Sequence, residues 1–281
     1  MVVTGKSSEL QEKVAQLKAQ HKTVGFVPTM GALHQGHLSL VSRSKRECDY
    51  TIVSIFVNPT QFNDKEDLRR YPRMPEEDSL LLEQVGCDMV FIPSESEIYP
   101  SPDTRIFDFG KLDKVMEGAF RPGHFNGVAQ VVSRLFDIVS PHKAYFGAKD
   151  FQQLAIVRKL VQMVDYPIEV VSCDIVREPD GLAMSSRNML LNPQQRAAAP
   201  GIYKAISVAK SKAEKLTPSE LKADIRQQID ANPELKTEYV ELVDAEEMLE
   251  PVHSWDTASS IQLCVAVQVG KIRLIDNIQV K

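Results

Sequence analysis

The chain has 281 residues, of which 43% are hydrophobic and 25% are charged, a balance typical of soluble globular proteins. Lysine and arginine number 33 against 38 aspartates and glutamates, and the resulting net charge of −5 argues against a nucleic-acid-binding protein, which needs a basic face. No apolar run approaches the roughly 20 residues that span a bilayer, and the N-terminus lacks the apolar core of a secretory signal. We therefore expect a cytoplasmic protein with no membrane and no nucleic-acid partner.

The cysteines Cys48, Cys87, Cys173 and Cys264 are far apart in the sequence and form no C-x-x-C pair. This spacing indicates buried thiols in a reducing compartment, not a disulfide framework or a zinc site. We expect no metal bound by protein side chains.

Helical and extended patterns alternate through the first part of the chain. A capping box at Ser8 and Gln11 predicts a helix to about Ala19, and further helices are predicted at residues 36–48, 75–85, 128–139 and 154–164. Strands are predicted at residues 23–28, 50–57, 88–93, 144–147 and 168–173, and the run 50–57 is apolar almost throughout, as expected for a parallel sheet that is covered on both faces. The predicted fold class is therefore α/β, with a Rossmann-like, doubly wound parallel sheet in residues 1–176.

The pattern changes after about residue 176. A helix is predicted over residues 194–212, with Pro200 as a break, and a capping box at residues 217–220 opens another helix. Three short strands follow at residues 238–243, 261–269 and 272–280, and "QVGKI" predicts a hairpin turn between the last two. A helical pair followed by a meander indicates a smaller C-terminal α+β domain, residues 177–281.

The stretch "PTMGALHQGH" places two histidines where a predicted strand gives way to a helix. Gly31 and Gly36 allow close approach of the backbone to a ligand, and a helix N-terminus directs N–H groups toward the same place. His34 and His37 are three residues apart, so both can donate to a polyphosphate whose charge grows during transfer. Spacing alone leaves open a pair of capping histidines or an incomplete metal site. The sequence contains no G-x-G-x-x-G and no P-loop motif, so phosphates must be held another way.

Two further polar clusters follow predicted strands. Gln61, in "NPTQ", offers an amide donor and acceptor to a hydroxy acid, although the plain alternative is an Asn-Pro turn with a solvated glutamine. Lys149, in "GAKD", suits phosphate oxygens, and Asp150 is placed as a helix N-cap. A surface Lys–Asp pair is the alternative there.

Another cluster, "AMSSRN", lies just past the expected domain boundary. Its two hydroxyls and Arg187 can close over a triphosphate from a mobile segment, while an ordinary polar linker is the alternative. Arg121 can hold a carboxylate or a phosphate, and His124 is expected to be structural. Trp255, the single tryptophan, is expected to serve in packing.

Five blocks together resemble the pantoate–β-alanine ligase (pantothenate synthetase) family. They are "PTMGALHQGH", "VNPTQF", "RPGHFNGVAQVV", "FGAKDFQQ" and "REPDGLAMSSRN", in the family's order between about residues 24 and 190. The resemblance implies a place in the wider group of H-x-G-H nucleotidyltransferases and class I aminoacyl-tRNA synthetases. Gln130 stands where the family pattern has threonine, and the C-terminal third matches in length and pattern more than in motif.

The resemblance implies that (R)-pantoate and β-alanine are condensed with ATP to pantothenate, AMP and pyrophosphate through pantoyl adenylate. Mg²⁺ would be carried on the phosphates of ATP. Residues 1–176 would bind the nucleotide and pantoate, residues 177–281 would act as a lid, and the protein would be a homodimer.

The matching blocks also imply roles for individual residues. The expected catalytic residues are His34, His37, Lys149, Ser185, Ser186 and Arg187. The expected ATP contacts are Met30, Gly31, Ala32, Leu33, His34, Gln35, Gly36, His37, Gly147, Ala148, Lys149, Asp150, Val176, Met184, Ser185, Ser186 and Arg187. Gln61 is expected to contact pantoate and β-alanine, and Gln153 to contact pantoate.

Two other functions stay open on the residues. An adenylyltransferase acting on a phosphorylated acceptor uses a similar histidine turn but releases a dinucleotide-like product and no AMP. A non-catalytic nucleotide-binding regulator turns over no ATP. A tRNA synthetase is disfavoured, because the chain shows no anticodon-binding region and its charge is acidic.

Overall fold

The chain divides into two units. The computed structural model describes residues 1–63, 65–246 and 249–281, apart from the side chain of Lys65. The first unit comprises Met1–Ala148 and Gln153–Asp174, and the second comprises Lys149–Gln152 and Ile175–Lys281. Lys149 and its next three residues thus belong with the C-terminal part of the chain.

A parallel sheet is the centre of the first unit. Within the described residues it has six strands in the order β1-β4-β3-β2-β5-β6, and all neighbours are parallel. The strands are β1 (Val2–Thr4), β2 (Val24–Thr29), β3 (Tyr50–Ile55), β4 (Met89–Phe91), β5 (Lys143–Gly147) and β6 (Glu169–Cys173). The strand order reverses between β2 and β5, which places the topological switch point there. This is the doubly wound sheet predicted from the sequence.

Helices pack on both faces of this sheet. The helices between β1 and β6 are α1 (Ser7–Ala19), α2 (Gln35–Glu47), α3 (Lys65–Arg70), α4 (Pro75–Gln84), α5 (Glu95–Ile98), α6 (Met116–Phe120), α7 (His124–Val139) and α8 (Phe151–Val164). Val27 of β2 belongs to a buried cluster with Leu38 and Val41 of α2. The neighbouring Phe26 has its ring 6.4 Å from that of Phe136 on α7. Because successive strand residues point to opposite faces, α2 and α7 lie on opposite sides of β2.

The second unit combines short helices with an antiparallel sheet. Its elements are α9 (Pro193–Ala198), α10 (Pro200–Ile206), α11 (Ala209–Ala213), α12 (Pro218–Asp230), β7 (Leu235–Asp244), β8 (Ile261–Val269) and β9 (Ile272–Gln279). The sheet order is β7-β8-β9. Leu221, Ile225 and Ile229 lie at four-residue spacing on α12 and pack into the core that includes β8. Trp255 packs against the same core and donates to the Leu216 carbonyl at 2.8 Å, in line with its predicted packing role.

Several local predictions are confirmed and others are wrong. The capping box at Thr217 is present, but the one at Ser8 is not, because α1 begins at Ser7 after Lys6. The Ser7 N–H instead donates to Glu97 at 2.7 Å, so a residue distant in sequence replaces the local cap. The single helix predicted over residues 194–212 is three helices, with the predicted break at Pro200, which is the first residue of α10.

Strand limits also differ from those predicted. β1 was not predicted, because it is three residues long and exposes both valines on an edge strand. β7 extends beyond residues 238–243 to Leu235–Asp244, and an irregularity between Thr237 and Tyr239 interrupts its alternation. The four cysteines are free and buried as predicted, and burial raises the pKa of the Cys87 thiol to about 11. Over the described residues, no helix is both long enough and apolar enough to cross a membrane.

Candidate active site

The turn from β2 to α2 lies at the switch point of the parallel sheet. Gly31 and Ala32 there have φ of 80° and 50°, a left-handed conformation that costs little for glycine but is uncommon for alanine. Asp78 of α4 accepts hydrogen bonds from the N–H groups of Ala32 at 2.9 Å and Leu33 at 2.7 Å. A buried carboxylate from another helix therefore holds the turn. Nothing local in the acidic stretch 76–78 distinguished Asp78 in the sequence.

Burial also affects the protonation of Asp78, which is 2% exposed. Desolvation raises the pKa of its carboxyl, and the hydrogen bonds from Leu33 and Ala32 oppose that shift in part. The charged form is the one that accepts both N–H groups, so acidification weakens the support of the turn.

His34 and His37 cap the N-terminus of α2. His34 Nδ1 accepts from the Gly36 N–H at 3.1 Å, and His37 Nδ1 accepts from the His34 N–H at 3.3 Å. The two ring centroids are 4.1 Å apart. A nitrogen that accepts a hydrogen bond carries no proton, so each neutral imidazole carries its proton on Nε2. The capping alternative is therefore realised, and capping makes Nε2 the donor atom of both rings.

Gln61 ends a 3₁₀ turn, Pro59–Gln61, that follows β3. The residue is 8% exposed, and its side-chain amide contacts Met30 Sδ. Its backbone carbonyl accepts from His124 Nδ1 at 2.8 Å and from Arg121 at 3.4 Å. His124 is thus structural, as predicted. The residue that it contacts, Gln61, is one that the sequence predicts to bind substrate. Arg121 shares that contact.

The 3₁₀ turn packs against α7. A Cβ added to Gly127 of α7 would lie 2.5 Å from the Thr60 carbonyl oxygen, so glycine permits this close approach. Asn58, which is 1% exposed, donates to the Gly127 carbonyl at 3.2 Å and accepts from Tyr99 at 2.9 Å. These contacts fix the backbone that carries Gln61.

β5 ends at Gly147, and Ala148 directly follows it. Because β5 is the parallel neighbour of β2, these residues emerge beside the β2–α2 turn at the same edge of the sheet. The Ala148 N–H donates to the Cys173 carbonyl at 2.7 Å, and Gln153 is half-buried in the first turn of α8. The first unit therefore brings residues 30–37, Gln61 and 147–148 to one edge.

The remaining predicted residues lie in the second unit. The side chain of Lys149 is 19% exposed, and its Nζ lies 4.0 Å from an Asp150 carboxylate oxygen. Val176 accepts from the Met184 N–H at 3.0 Å, which aligns the two ends of a short hairpin. Ser185 caps the next 3₁₀ turn, residues 186–190, by accepting from the Arg187 N–H at 3.3 Å.

The side-chain types at the predicted site bear on whether it suits a cation or an anion. In the part of the chain that the structure describes, no group of three or more His, Cys, Asp and Glu side chains could hold a metal ion. The predicted site residues of the first unit offer imidazole and backbone N–H donors. Those of the second unit offer an ammonium, hydroxyls and a guanidinium. Such donors suit an anionic ligand.

A doubly wound sheet with a histidine-bearing, amide-rich turn at its switch point defines an α/β protein of the Rossmann-like class. The family model described as pantoate-beta-alanine ligase matches residues 2–279. This chain therefore belongs to the pantoate–β-alanine ligase family. The family resemblance noted in the sequence is confirmed.

Individual relatives agree with this assignment. The chain is 52% identical to the pantothenate synthetase of Bacteroides thetaiotaomicron over 273 residues, which cover 97% of this chain and 96% of that relative. The crystal structure of pantothenate synthetase from Thermus thermophilus is similar at a TM-score of 0.93 and 42% identity, covering 100% of this chain and 99% of that one. A Francisella tularensis pantoate-beta-alanine ligase, complexed with beta-gamma ATP and beta-alanine, is similar at a TM-score of 0.83 and 34% identity, covering 99% and 97%.

Proposed function

We propose that this protein condenses (R)-pantoate with β-alanine, using ATP, to form pantothenate, AMP and pyrophosphate. Family membership over residues 2–279 supports the substrates and the ligase chemistry. The observation that carries the mechanism is the histidine pair at the N-terminus of α2, whose Nδ1 atoms accept backbone N–H groups and whose Nε2 atoms are therefore donors. The reaction proceeds in two steps through pantoyl adenylate.

Adenylation forms a bond between a pantoate carboxylate oxygen and the α-phosphorus of ATP. The bond from that phosphorus to the bridging oxygen of the β-phosphate breaks, and pyrophosphate leaves with the electron pair. No covalent bond to a side chain is required, so positioning and charge stabilisation lower the barrier. His34 and His37 donate to phosphate oxygens on which charge develops, and the N-terminus of α2 adds its dipole.

Further donors for the triphosphate come from the second unit. We assign Lys149 to the polyphosphate, and Ser185, Ser186 and Arg187 to the phosphates from the hairpin that Val176 opens. Val176 and Met184 face each other across this hairpin through a hydrogen bond of 3.0 Å, and we assign both to the adenosine part of ATP. The remaining nucleotide contacts are the backbone of residues 30–36, Gly147, Ala148 and Asp150.

Mg²⁺ enters the site as part of its substrate, MgATP. The ion neutralises part of the triphosphate charge, and it commonly keeps several waters and takes few protein ligands. The donor character of the two residue sets agrees with contact to phosphate oxygens instead of to the ion.

The second step is attack of the β-alanine amine on the acyl carbon of pantoyl adenylate. The carbon–oxygen bond to the phosphate breaks, AMP leaves with that oxygen, and the amine loses a proton. Gln61 contacts pantoate and the incoming amine, and Gln153 contacts pantoate. Because water also hydrolyses a mixed anhydride, residues 177–281 serve as a lid that keeps water out, while residues 1–176 bind both substrates.

The setting of the reaction is also a proposal. We propose a homodimer in the cytoplasm, with small molecules as substrates and no nucleic-acid partner. The net charge of −5 supports the last point, because phosphate backbones are bound by basic faces.

Omission of single substrates tests the proposed function. Purified protein is incubated with MgATP while pantoate or β-alanine is withheld in turn, and nucleotide products are separated by chromatography. We expect AMP and pyrophosphate to accumulate only when both partners are present. A new adenylated product with a phosphorylated acceptor, and no AMP, would instead identify an adenylyltransferase.

A further inference from the structure

Two adjacent polar residues are buried in the final strand of the second unit. Asp276 and Asn277 of β9 are 4% and 3% exposed, so they are as buried as Leu274, an apolar core residue of the same strand. Adjacent strand residues point to opposite faces, so the two side chains leave the strand in different directions. Buried polar groups of this kind destabilise a fold unless they are hydrogen-bonded. Both side chains have hydrogen-bond partners within the second unit.

Asp276 holds the start of the segment that carries Met184–Arg187. Its two carboxylate oxygens accept from the Arg177 guanidinium at 2.6 Å and 2.9 Å, which is a bidentate pair. The same guanidinium stacks over the Tyr203 ring at 3.9 Å from the centroid, and it donates to the Gly181 carbonyl at 3.2 Å. Arg177 also pairs with Ala183 across the hairpin. The Asp276 carboxylate therefore fixes the base from which the serine–arginine segment emerges.

Asn277 holds the backbone of Lys149. Its side-chain amide donates to the Lys149 carbonyl at 2.9 Å, and its amide oxygen accepts from Gln262 at 2.6 Å. Its backbone N–H donates to Asp276 Oδ1 at 2.8 Å, the oxygen that also accepts from Arg177. One continuous set of hydrogen bonds thus joins Lys149, β9 and Arg177.

We infer that Asp276 and Asn277 are positioning residues for adenylation, because together they set the Lys149 backbone and the Met184–Arg187 segment relative to each other. This inference rests on the proposed function, in which both elements contact the triphosphate. The pair touches neither substrate nor reacting atoms in that scheme; its effect passes through Lys149 and Arg177. A small displacement of a phosphate donor lowers the adenylation rate more strongly than it weakens pantoate binding, since the two ligands contact different residues.

Asn277→Leu tests the link to Lys149, because leucine has a similar size and cannot donate to the carbonyl. We expect pantoate-dependent pyrophosphate exchange to fall by about 10- to 100-fold, the range for a misplaced catalytic group, with the KM for pantoate within about twofold of wild type. Val267→Ala in β8 is the matched control: it removes buried apolar volume from the same sheet and should leave exchange unchanged. Asn277→Ser, which is smaller and too short to reach the carbonyl, provides the same test if the leucine variant does not fold.

A double-mutant cycle distinguishes positioning from a general structural role. In a Lys149→Ala background, Asn277→Leu should cause little further loss of exchange, because the residue that it positions is already gone. Equal fold-losses in both backgrounds would overturn the inference, as would a loss matched by Val267→Ala. Failure of the proposed function has a different signature: wild-type protein without pantoate-dependent exchange, or a Lys149→Ala variant with full activity.

Discussion

His34 and His37 each direct Nδ1 to a backbone amide, which separates two roles that an alanine substitution would remove together. Asparagine places an oxygen close to the position of Nδ1 and has no counterpart of Nε2. His37→Asn should therefore keep the cap on the His34 N–H and lose the proposed phosphate donor, Nε2. We expect adenylation to fall by about 100- to 1000-fold, as in His37→Ala, while the melting temperature of His37→Asn stays closer to wild type.

Pantoate-dependent pyrophosphate exchange and thermal unfolding, measured on the same preparations, provide the readouts. His253→Ala is the control, because His253 is exposed and lies in the second unit. Full activity in His37→Asn would show that the imidazole serves only as a cap.

Gln153 gives a prediction about substrate choice. An amide that binds the hydroxyl or carboxylate of pantoate contributes on the order of one kcal/mol, so Gln153→Ala should raise the KM for pantoate about fivefold. The KM for ATP should change little, because the proposed ATP contacts are other residues. Steady-state kinetics with each substrate varied in turn measures both constants, and equal changes in both would argue against the assignment.

The contact between α7 and the turn Pro59–Gln61 depends on a glycine, Gly127, because any side chain there would clash with the turn. Gly127→Ala would place a Cβ 2.5 Å from the Thr60 carbonyl oxygen and 2.9 Å from the Gln61 Cα, both backbone atoms. We expect a loss of about 1 to 3 kcal/mol in unfolding free energy, with weaker pantoate binding because Gln61, the proposed pantoate contact, moves.

Gly201→Ala provides the matched control for Gly127→Ala in urea unfolding. Gly201 lies in α10, and a Cβ there meets a flexible leucine methyl at 3.4 Å. Alanine in a helix is favoured over glycine by about 0.5 to 1 kcal/mol, so this variant should be as stable as wild type or more stable. Equal behaviour of the two variants would contradict the packing argument.

Asp103 gives a prediction about pH. Its carboxylate is 2% exposed and lies 2.6 Å from Arg105 and 3.0 Å from Arg134 of α7. Hydrogen bonds from Arg105, and then from Arg134, hold the pKa of this carboxyl well below its usual range. A carboxyl whose pKa is lower in the folded state stabilises the fold fully at pH values above its unfolded-state pKa, which is about 4. This stabilisation is lost as the pH falls from there toward the folded-state pKa.

Replacing Asp103 with asparagine should remove this contribution. Asp103→Asn should cost about 2 kcal/mol at neutral pH, and its deficit relative to wild type should shrink as the pH is lowered below about 4. Urea unfolding of both proteins across this pH range measures the difference. A deficit that stays constant over the range would contradict the ion-pair explanation.

Helices and strands were predicted correctly where the hydrophobic pattern of the segment itself specifies them. The predictions failed where a helix or strand depends on partners distant in sequence. Apolar runs and helical periodicity were sufficient for β2 to β6 and for α2, α7 and α8, because each buries a continuous or regularly spaced apolar face. β1 carries no such signal, since its pairing with β4 is what makes it a strand. The cap of α1 depends in the same way on Glu97, a residue of α5.

For the whole molecule, the sequence predicts side chains whose chemistry suits the proposed substrates, and it does not point to the buried residues that hold those side chains in place. The histidine turn and the serine–arginine segment are short motifs, and their residue types alone indicate that they suit phosphates. Asp78, Asp276 and Asn277 act through hydrogen bonds to residues far away in sequence, so their importance depends on the fold. Their identity became apparent only from burial and partners.

In the proposed reaction, the pantoate carboxylate becomes adenylated before the amide bond forms. The most direct test uses pantoate labelled with heavy oxygen in its carboxylate, incubated with MgATP and β-alanine, followed by mass spectrometry of the products. One carboxylate oxygen bonds to the α-phosphorus and stays there when the amine displaces AMP, so AMP should carry one labelled oxygen and pyrophosphate none. Unlabelled AMP, or label in inorganic phosphate together with formation of ADP, would rule out pantoyl adenylate as the intermediate.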